Sequence, residues 1–210
     1  MKKREIALRA VEALEVLYPD AVCSLDYSSA FELLIATRLS AQCTDKRVNM
    51  VTPALFSRFP DAKALAKAKT EEIEEIIKSC GLYKTKARDI IACAKGIEER
   101  FGGVVPDNME DLTSLPGIGR KTANLIMGDI YHKPAVVCDT HFIRITGRLN
   151  LTNSTNPLKV EKDLIKLLPP DKSSDFCHRI VLFGRDICTA RKAFCDRCPL
   201  EDICPKKIKK

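Results

Sequence analysis

Apolar positions recur at three- and four-residue intervals almost throughout the chain. Ile6, Ala10, Leu14 and Leu17 form one such row, followed by Ile73, Ile76 and Ile77, and then by Ile90, Ala94 and Ile97. This is the period of an amphipathic helix, and alternating strand patterns are missing. The reading is all-α, with about ten helices. FELLIATRL, from Phe31 to Leu39, is apolar on most sides and predicts a helix deep in the core. Start signals agree. Capping boxes are expected at Ser29/Glu32 and Asp107/Glu110, caps at Thr44, Thr70 and Asn156, a cap at Asp45 for the helix that follows it, and Pro157 at a first helical position. Gly81 and Gly102-Gly103 supply stops. The pairs Val104-Val105 and Val136-Val137 are too short for strands and read as extended connectors. No low-complexity linker is present, so a domain boundary must fall at a short turn such as Leu25-Asp26 or His132-Lys133-Pro134.

Composition and charge narrow the function. The 210 residues, 45% of them hydrophobic, can bury a sizeable core. Thirty-five Lys and Arg against 28 Asp and Glu give +7, which suits a polyanionic partner. The basic start MKKRE is not a signal peptide, because Glu5, Arg9, Glu12 and Glu15 interrupt any apolar core. No run is long enough for a membrane span, so no membrane partner is expected. The ten cysteines are then best read as reduced thiols or metal ligands in a cytoplasmic protein.

Four of those cysteines cluster. Cys188, Cys195, Cys198 and Cys204 follow the pattern C-x6-C-x2-C-x5-C within seventeen residues. Four thiolates suit zinc or an iron-sulfur cluster. Structural zinc usually takes two short pairs, whereas only Cys195 and Cys198 make one here, so a single loop around a larger cubane fits better. Arg191 and Lys192 lie in the first gap, with Arg185 and Arg197 nearby, and could present charge to DNA phosphates. The other six cysteines are scattered over apolar segments and read as small core residues.

LPGIGRKTAN, residues 115 to 124, carries a second candidate. It is not a phosphate-binding P-loop, since Lys121 follows Arg120 rather than Gly and position 115 is Leu. It is not a dinucleotide fingerprint either, because Thr122 stands where the third glycine belongs and no strand precedes Gly117. What remains is a tight turn between two helices. Gly117 and Gly119 leave the backbone bare, so N–H groups at the next helix start can meet a phosphate.

Taken together, LPGIGRKTA, CDTH at 138 to 141, LSAQCTD at 39 to 45 and the cysteine spacing resemble the endonuclease III family of bifunctional DNA glycosylase/abasic-site lyases, in the helix-hairpin-helix superfamily. The motifs run in the family's order over essentially the whole chain. The resemblance implies a six-helix domain over residues 24–134 carrying the hairpin. It implies a second helical domain built from residues 1–23 and 135–210, holding a 4Fe-4S cluster on the four cysteines, with duplex DNA in a cleft between the two. A monomer is expected. The implied reaction removes oxidised pyrimidines and cuts the abasic site.

In that family the nucleophilic lysine falls on Lys121 and the catalytic aspartate on Asp139. A nucleophilic amine must be neutral, whereas an unperturbed lysine ammonium, with a pKa of about 10.4, is protonated at pH 7. A helix start and burial disfavour the cation, and DNA phosphates favour it. Asp139 also makes a good helix cap on its own account. Gln42 is implied to fill the gap left by an extruded base, with Leu82 as a wedge beside it; the plain alternative for Leu82 is an apolar contact after Gly81. Arg120, Thr122, His141 and Arg144 are candidate DNA contacts. Other readings are an adenine-mismatch glycosylase of the same fold, disfavoured by Lys121 and by the lack of a further domain after Lys210, a non-catalytic iron-sulfur DNA-binding module, and a zinc adaptor.

Overall fold

The computed structural model describes residues 1–206. Among these residues there are eleven α-helices and three short 3-10 turns; no strand is present, only an isolated antiparallel bridge between Cys188 and Ala193. The chain divides into two compact units, Cys23–Tyr131 and a unit joining Met1–Val22 to the chain from His132 onward. The second division follows local bonding. Tyr131 donates its hydroxyl to Val105 O, and Ala135 N donates to Ser173 Oγ at 3.1 Å. Among the described residues no helix is long and apolar enough to cross a membrane.

The Cys23–Tyr131 unit contains α2 (Ala30–Leu39), α3 (Asp45–Arg58), α4 (Ala62–Ala66), α5 (Thr70–Ile77), α6 (Tyr83–Phe101), α7 (Met109–Thr113) and α8 (Arg120–Asp129). With the five-residue helices α4 and α7 counted, that is seven where six were expected. The segment apolar on most sides is α2, and Leu33, Leu34, Ile35, Ala36 and Leu39 are fully buried, as its hydropathy predicts. Around it α6 buries Ala87, Ile90, Ile91, Cys93, Ala94 and Ile97, one stripe at helical spacing.

Caps account for where these helices begin. Ser29 Oγ accepts from Glu32 N at 3.2 Å and starts α2, while Glu32 Oε2 reaches one residue further back to Ser28 N at 2.6 Å. Thr44 Oγ1 accepts from Arg47 N and caps α3, so Asp45 is the first helical residue rather than a cap. Its carboxylate takes Ser24 Oγ instead. The box expected at Asp107 lies one residue later. Asn108 Oδ1 accepts from Asp111 N at 3.0 Å, and its amide donates to the Asp111 carboxylate at 2.7 Å, so Asn108 is the N-cap of α7. Thr70 opens α5 behind Lys69, which offers no side-chain cap. Gly102 ends α6 at φ 60°, the left-handed stop its sequence position requires.

The other unit contains α1 (Lys3–Leu17), α9 (Thr140–Arg148), α10 (Pro157–Leu164) and α11 (Ser173–Asp186). Its core joins Ala7, Ala10, Val11 and Leu14 of α1 to Phe142 and Ile145 of α9 and to Phe176, Ile180 and Phe183 of α11. Phe142 and Phe176 meet edge-on at 6.1 Å. Leu17, expected on the buried face, is 40% exposed because α1 stops there. Asn156 caps α10 with Pro157 as its first residue.

Candidate functional site

The glycine turn lies between α7 and α8. Leu115 and Ile118 are buried and anchor it from below, while Pro116, Gly117, Gly119, Arg120 and Lys121 are exposed. Gly117 is at φ 76°, and a Cβ there would stand 2.8 Å from Arg38 Nε and 3.3 Å from Asp89 Cβ. Glycine is therefore required twice over, by backbone sign and by the Arg38–Asp89 ion pair packed beneath it. Gly119 is the N-cap of α8 and has no side chain to give, so the first N–H groups of α8 carry no side-chain cap. An uncapped helix start next to solvent suits an anion. Lys121 is exposed one residue into that helix, and Thr122 is half-buried.

Two further loops of the same unit expose the residues expected to probe DNA. Gln42, between α2 and α3, is exposed at φ 54°. Leu82, between the 3-10 turn Lys78–Cys80 and α6, stands at φ 48° with 61% of its surface exposed. At that exposure Leu82 is not packed into the core after Gly81. Non-glycine residues at positive φ carry strain of order 1 kcal/mol or more and persist only where their surroundings fix them.

In the other unit, Asp139 caps α9: its Oδ1 accepts from Phe142 N at 2.7 Å. Phe142 and Ile145 bury the opposite side of the helix and hold its start in place. Cys138, just before it, is half-buried, and burial pushes its thiol up to about 12, so it stays neutral beside the carboxylate. His141 is also half-buried, and burial lowers its pKa.

Arg144 reaches across to α11. Its Nη2 donates to Gly184 O at 3.1 Å and Cys188 O at 3.0 Å and lies 3.2 Å from His141 Nδ1. Its Nη2 thus serves carbonyls at the end of α11, where a cation suits the helix dipole. Arg148, one helical turn on, was missed. It donates to Cys188 O at 3.3 Å, Cys188 Sγ at 3.1 Å, Thr189 O at 2.8 Å and Ala190 O at 3.4 Å. The signal was available, since two arginines at i and i+4 repel unless both find acceptors.

The four clustered cysteines line one partly open cavity of about 30 Å³, walled by Ile145, Leu149, Phe183, Ile187 and Leu200. Backbone N–H of Lys206 points at Cys204 Sγ at 3.4 Å. Burial raises the Cys198 and Cys204 thiols, so an unliganded pocket favours their neutral forms and a bound cation would reverse that preference. Among the described residues no three His, Cys, Asp or Glu side chains converge as they would on a single ion. The bridge between Cys188 and Ala193 folds the first gap into a small turn with Arg191 and Lys192 exposed at its tip. Phe194 beneath it is flanked by Lys192 Nζ at 5.0 Å and by the Arg197 guanidinium at 4.8 Å.

A helical hairpin with a bare-backbone turn, an exposed lysine at its second helix and a four-thiol loop define a class. Residues 35–170 match the model of the HhH-GPD superfamily base excision DNA repair proteins. The chain belongs to that superfamily and, within it, to the endonuclease III family. It is 48% identical over 204 residues to endonuclease III of Synechocystis sp., covering 97% of this chain and 93% of that one. Among solved structures it is similar to a non-covalent endonuclease III–DNA complex, at TM-score 0.89 and 38% identity, covering 98% of this chain and 96% of the other. A trapped endonuclease III–DNA covalent intermediate matches equally well, at TM-score 0.89 and 38% identity over 98% and 97% of the two chains.

Proposed function

We propose that this chain is a DNA glycosylase with abasic-site lyase activity that removes oxidised pyrimidines from duplex DNA. Lys121 is the nucleophile. Its amine attacks C1′ of the damaged nucleotide, the C1′–N bond breaks and the base departs. The sugar opens to an imine between C1′ and Nζ, which acidifies the C2′ proton; loss of that proton expels the 3′ phosphate by β-elimination. One amine serves both steps. Asp139 orients or deprotonates the amine and stabilises positive character at C1′ as the base leaves. Gln42 and Leu82 occupy the space of the extruded nucleotide. The start of α8, with Gly117, Gly119, Arg120 and Thr122, and the loop cations Arg191 and Lys192 hold the phosphates, and His141 lies close enough to Asp139 in sequence to add a contact. Arg144 is left out of that set, because its Nη2 already serves two carbonyls.

Cys188, Cys195, Cys198 and Cys204 would hold a 4Fe-4S cluster. The donor set fits: four thiolates around one cavity, with N–H donors aimed at two of the sulfurs, match a group that takes one thiolate per iron rather than four at one point. When bound, it supplies a fourfold cross-link that stiffens the loop bearing Arg191 and Lys192.

The observation that carries this reading is Lys121, exposed at an uncapped helix start after a turn that only glycine can make, in a chain similar to a protein trapped covalently on DNA. The test is borohydride trapping on a duplex with a single thymine glycol. The intact protein is expected to give a covalent adduct and Lys121→Ala none. DNA binding without an adduct from the intact protein would leave Lys121 a phosphate contact and the chain a monofunctional glycosylase or a binding module.

A further inference from the structure

Lys86 is 1% exposed, the largest fully buried side chain of the described residues, and it sits on the buried stripe of α6 with Ile90 and Ile97. Its Nζ donates to Leu39 O at 2.8 Å and to Cys80 O at 2.7 Å. No carboxylate pairs with it among the described residues. Desolvation by burial lowers its pKa, opposed by the nearby Cys43 and Cys80 thiols. A buried ammonium answered only by carbonyls costs free energy that a methionine of similar reach would not. What the charge gains must lie in the two carbonyls it holds.

Both carbonyls end an element just before a probing loop. Leu39 is the last residue of α2, and three residues later Gln42 turns to φ 54°. Cys80 is the last residue of its 3-10 turn, and two residues later Leu82 turns to φ 48°. Lys86 also holds Leu82 directly, since its backbone N donates to Leu82 O at 3.0 Å. One residue thus brackets Leu82 from both sides and ties it to the end of α2. Burial first and the neighbouring Cys43 second push the Cys80 thiol up to about 11, so the two side chains also sit together across the same two segments.

We infer that Lys86 is a positioning residue for base extrusion: its ammonium fixes the spacing of the 40–43 and 80–82 loops, so that Gln42 and Leu82 meet the duplex as one preformed unit. The inference rests on the reading of those two residues as DNA probes. Preorganisation matters because unstacking a base costs free energy, and a loop that must also be ordered on binding adds to that cost.

The test compares single-turnover base excision from a thymine glycol duplex with β-elimination at a preformed abasic site, where no base needs extruding. It uses the full chain at a temperature where every variant is folded, and 2-aminopurine beside the lesion reports unstacking. Lys86→Met is expected to slow excision at least 10-fold more than β-elimination and to blunt the 2-aminopurine rise. Excision and elimination slowed equally, or neither slowed, would overturn the inference. If Lys86→Met does not fold, Lys86→Gln, neutral and too short to span both carbonyls, is judged by the same ratio. Gln42→Ala and Leu82→Ala separate the two layers of the argument. If neither slows excision, the reading of the loops as probes is wrong. If they slow it and Lys86→Met does not, the loops probe DNA but Lys86 does not position them.

Discussion

Arg148 donates a charged N–H to the sulfur of Cys188 at 3.1 Å while the same side chain takes the carbonyls of Cys188, Thr189 and Ala190. The first proposed cluster ligand and the turn after it are therefore held from α9, the helix that Asp139 caps. Hydrogen bonds to a ligand sulfur stabilise its anionic form, and loss of such outer partners typically costs 10- to 100-fold in metal affinity.

Arg148→Met, which keeps much of the apolar stem, is therefore expected to lose its cluster about 10-fold faster or more under an iron chelator. The decay of the broad absorbance around 400 nm would follow it. Decay no faster than in the parent protein would mean that the sulfur contact contributes nothing to retention.

Gly184 supplies the close approach that lets Arg144 reach α11. A Cβ there would lie 2.5 Å from His141 Nδ1, 2.9 Å from Arg144 Nη2 and 3.0 Å from Ile145 Cδ1. Gly184→Ala must displace the His141 ring and the ends of Arg144 and Ile145, at a cost of about 1–3 kcal/mol. For a chain of this length each kcal/mol lowers Tm by roughly 2–4 °C. Gly147, on α9, has open space where its Cβ would be. Gly147→Ala is expected to be neutral or to stabilise by up to about 1 kcal/mol, since alanine suits a helix better. Equal melting temperatures for the two variants would show that the α9–α11 approach is not tight.

The contrast between these residues marks what the sequence could disclose. Ser29, Thr44, Asn156 and Asp139 act within three residues of themselves, and their capping roles were readable because the partner is local. Asn108 was displaced by Asp107 in the reading, since two adjacent cap formers differ only in where the chain leaves Pro106. The glycine turn and the cysteine spacing were legible because each is a run of residue types with few other uses. Arg144 and Arg148 answer to carbonyls about forty residues away, a pairing that no local pattern encodes. Lys86 left a trace that went unread: the stripe Ile90, Ala94 and Ile97, continued back by one turn, lands on it, and a lysine on an apolar stripe is a buried charge that needs a purpose.

Asp139 combines a structural and a proposed chemical role that two substitutions can separate. Its Oδ1 takes Phe142 N at 2.7 Å, a bond that an asparagine side-chain oxygen makes about as well. Asp139→Asn should therefore keep α9 capped and leave Tm nearly unchanged, yet lose the carboxylate charge. General-base and electrostatic assistance of this kind is worth about 100-fold or more in rate. Single-turnover excision by Asp139→Asn is accordingly expected to fall by at least that factor. Asp139→Ala should lose the rate and also about 0.5–2 kcal/mol of stability, because the first turn of α9 then has no acceptor. A rate for Asp139→Asn equal to that of the parent protein would reduce Asp139 to a helix cap. A Tm loss in Asp139→Asn as large as in Asp139→Ala would mean that the stability depends on the carboxylate charge rather than on the cap.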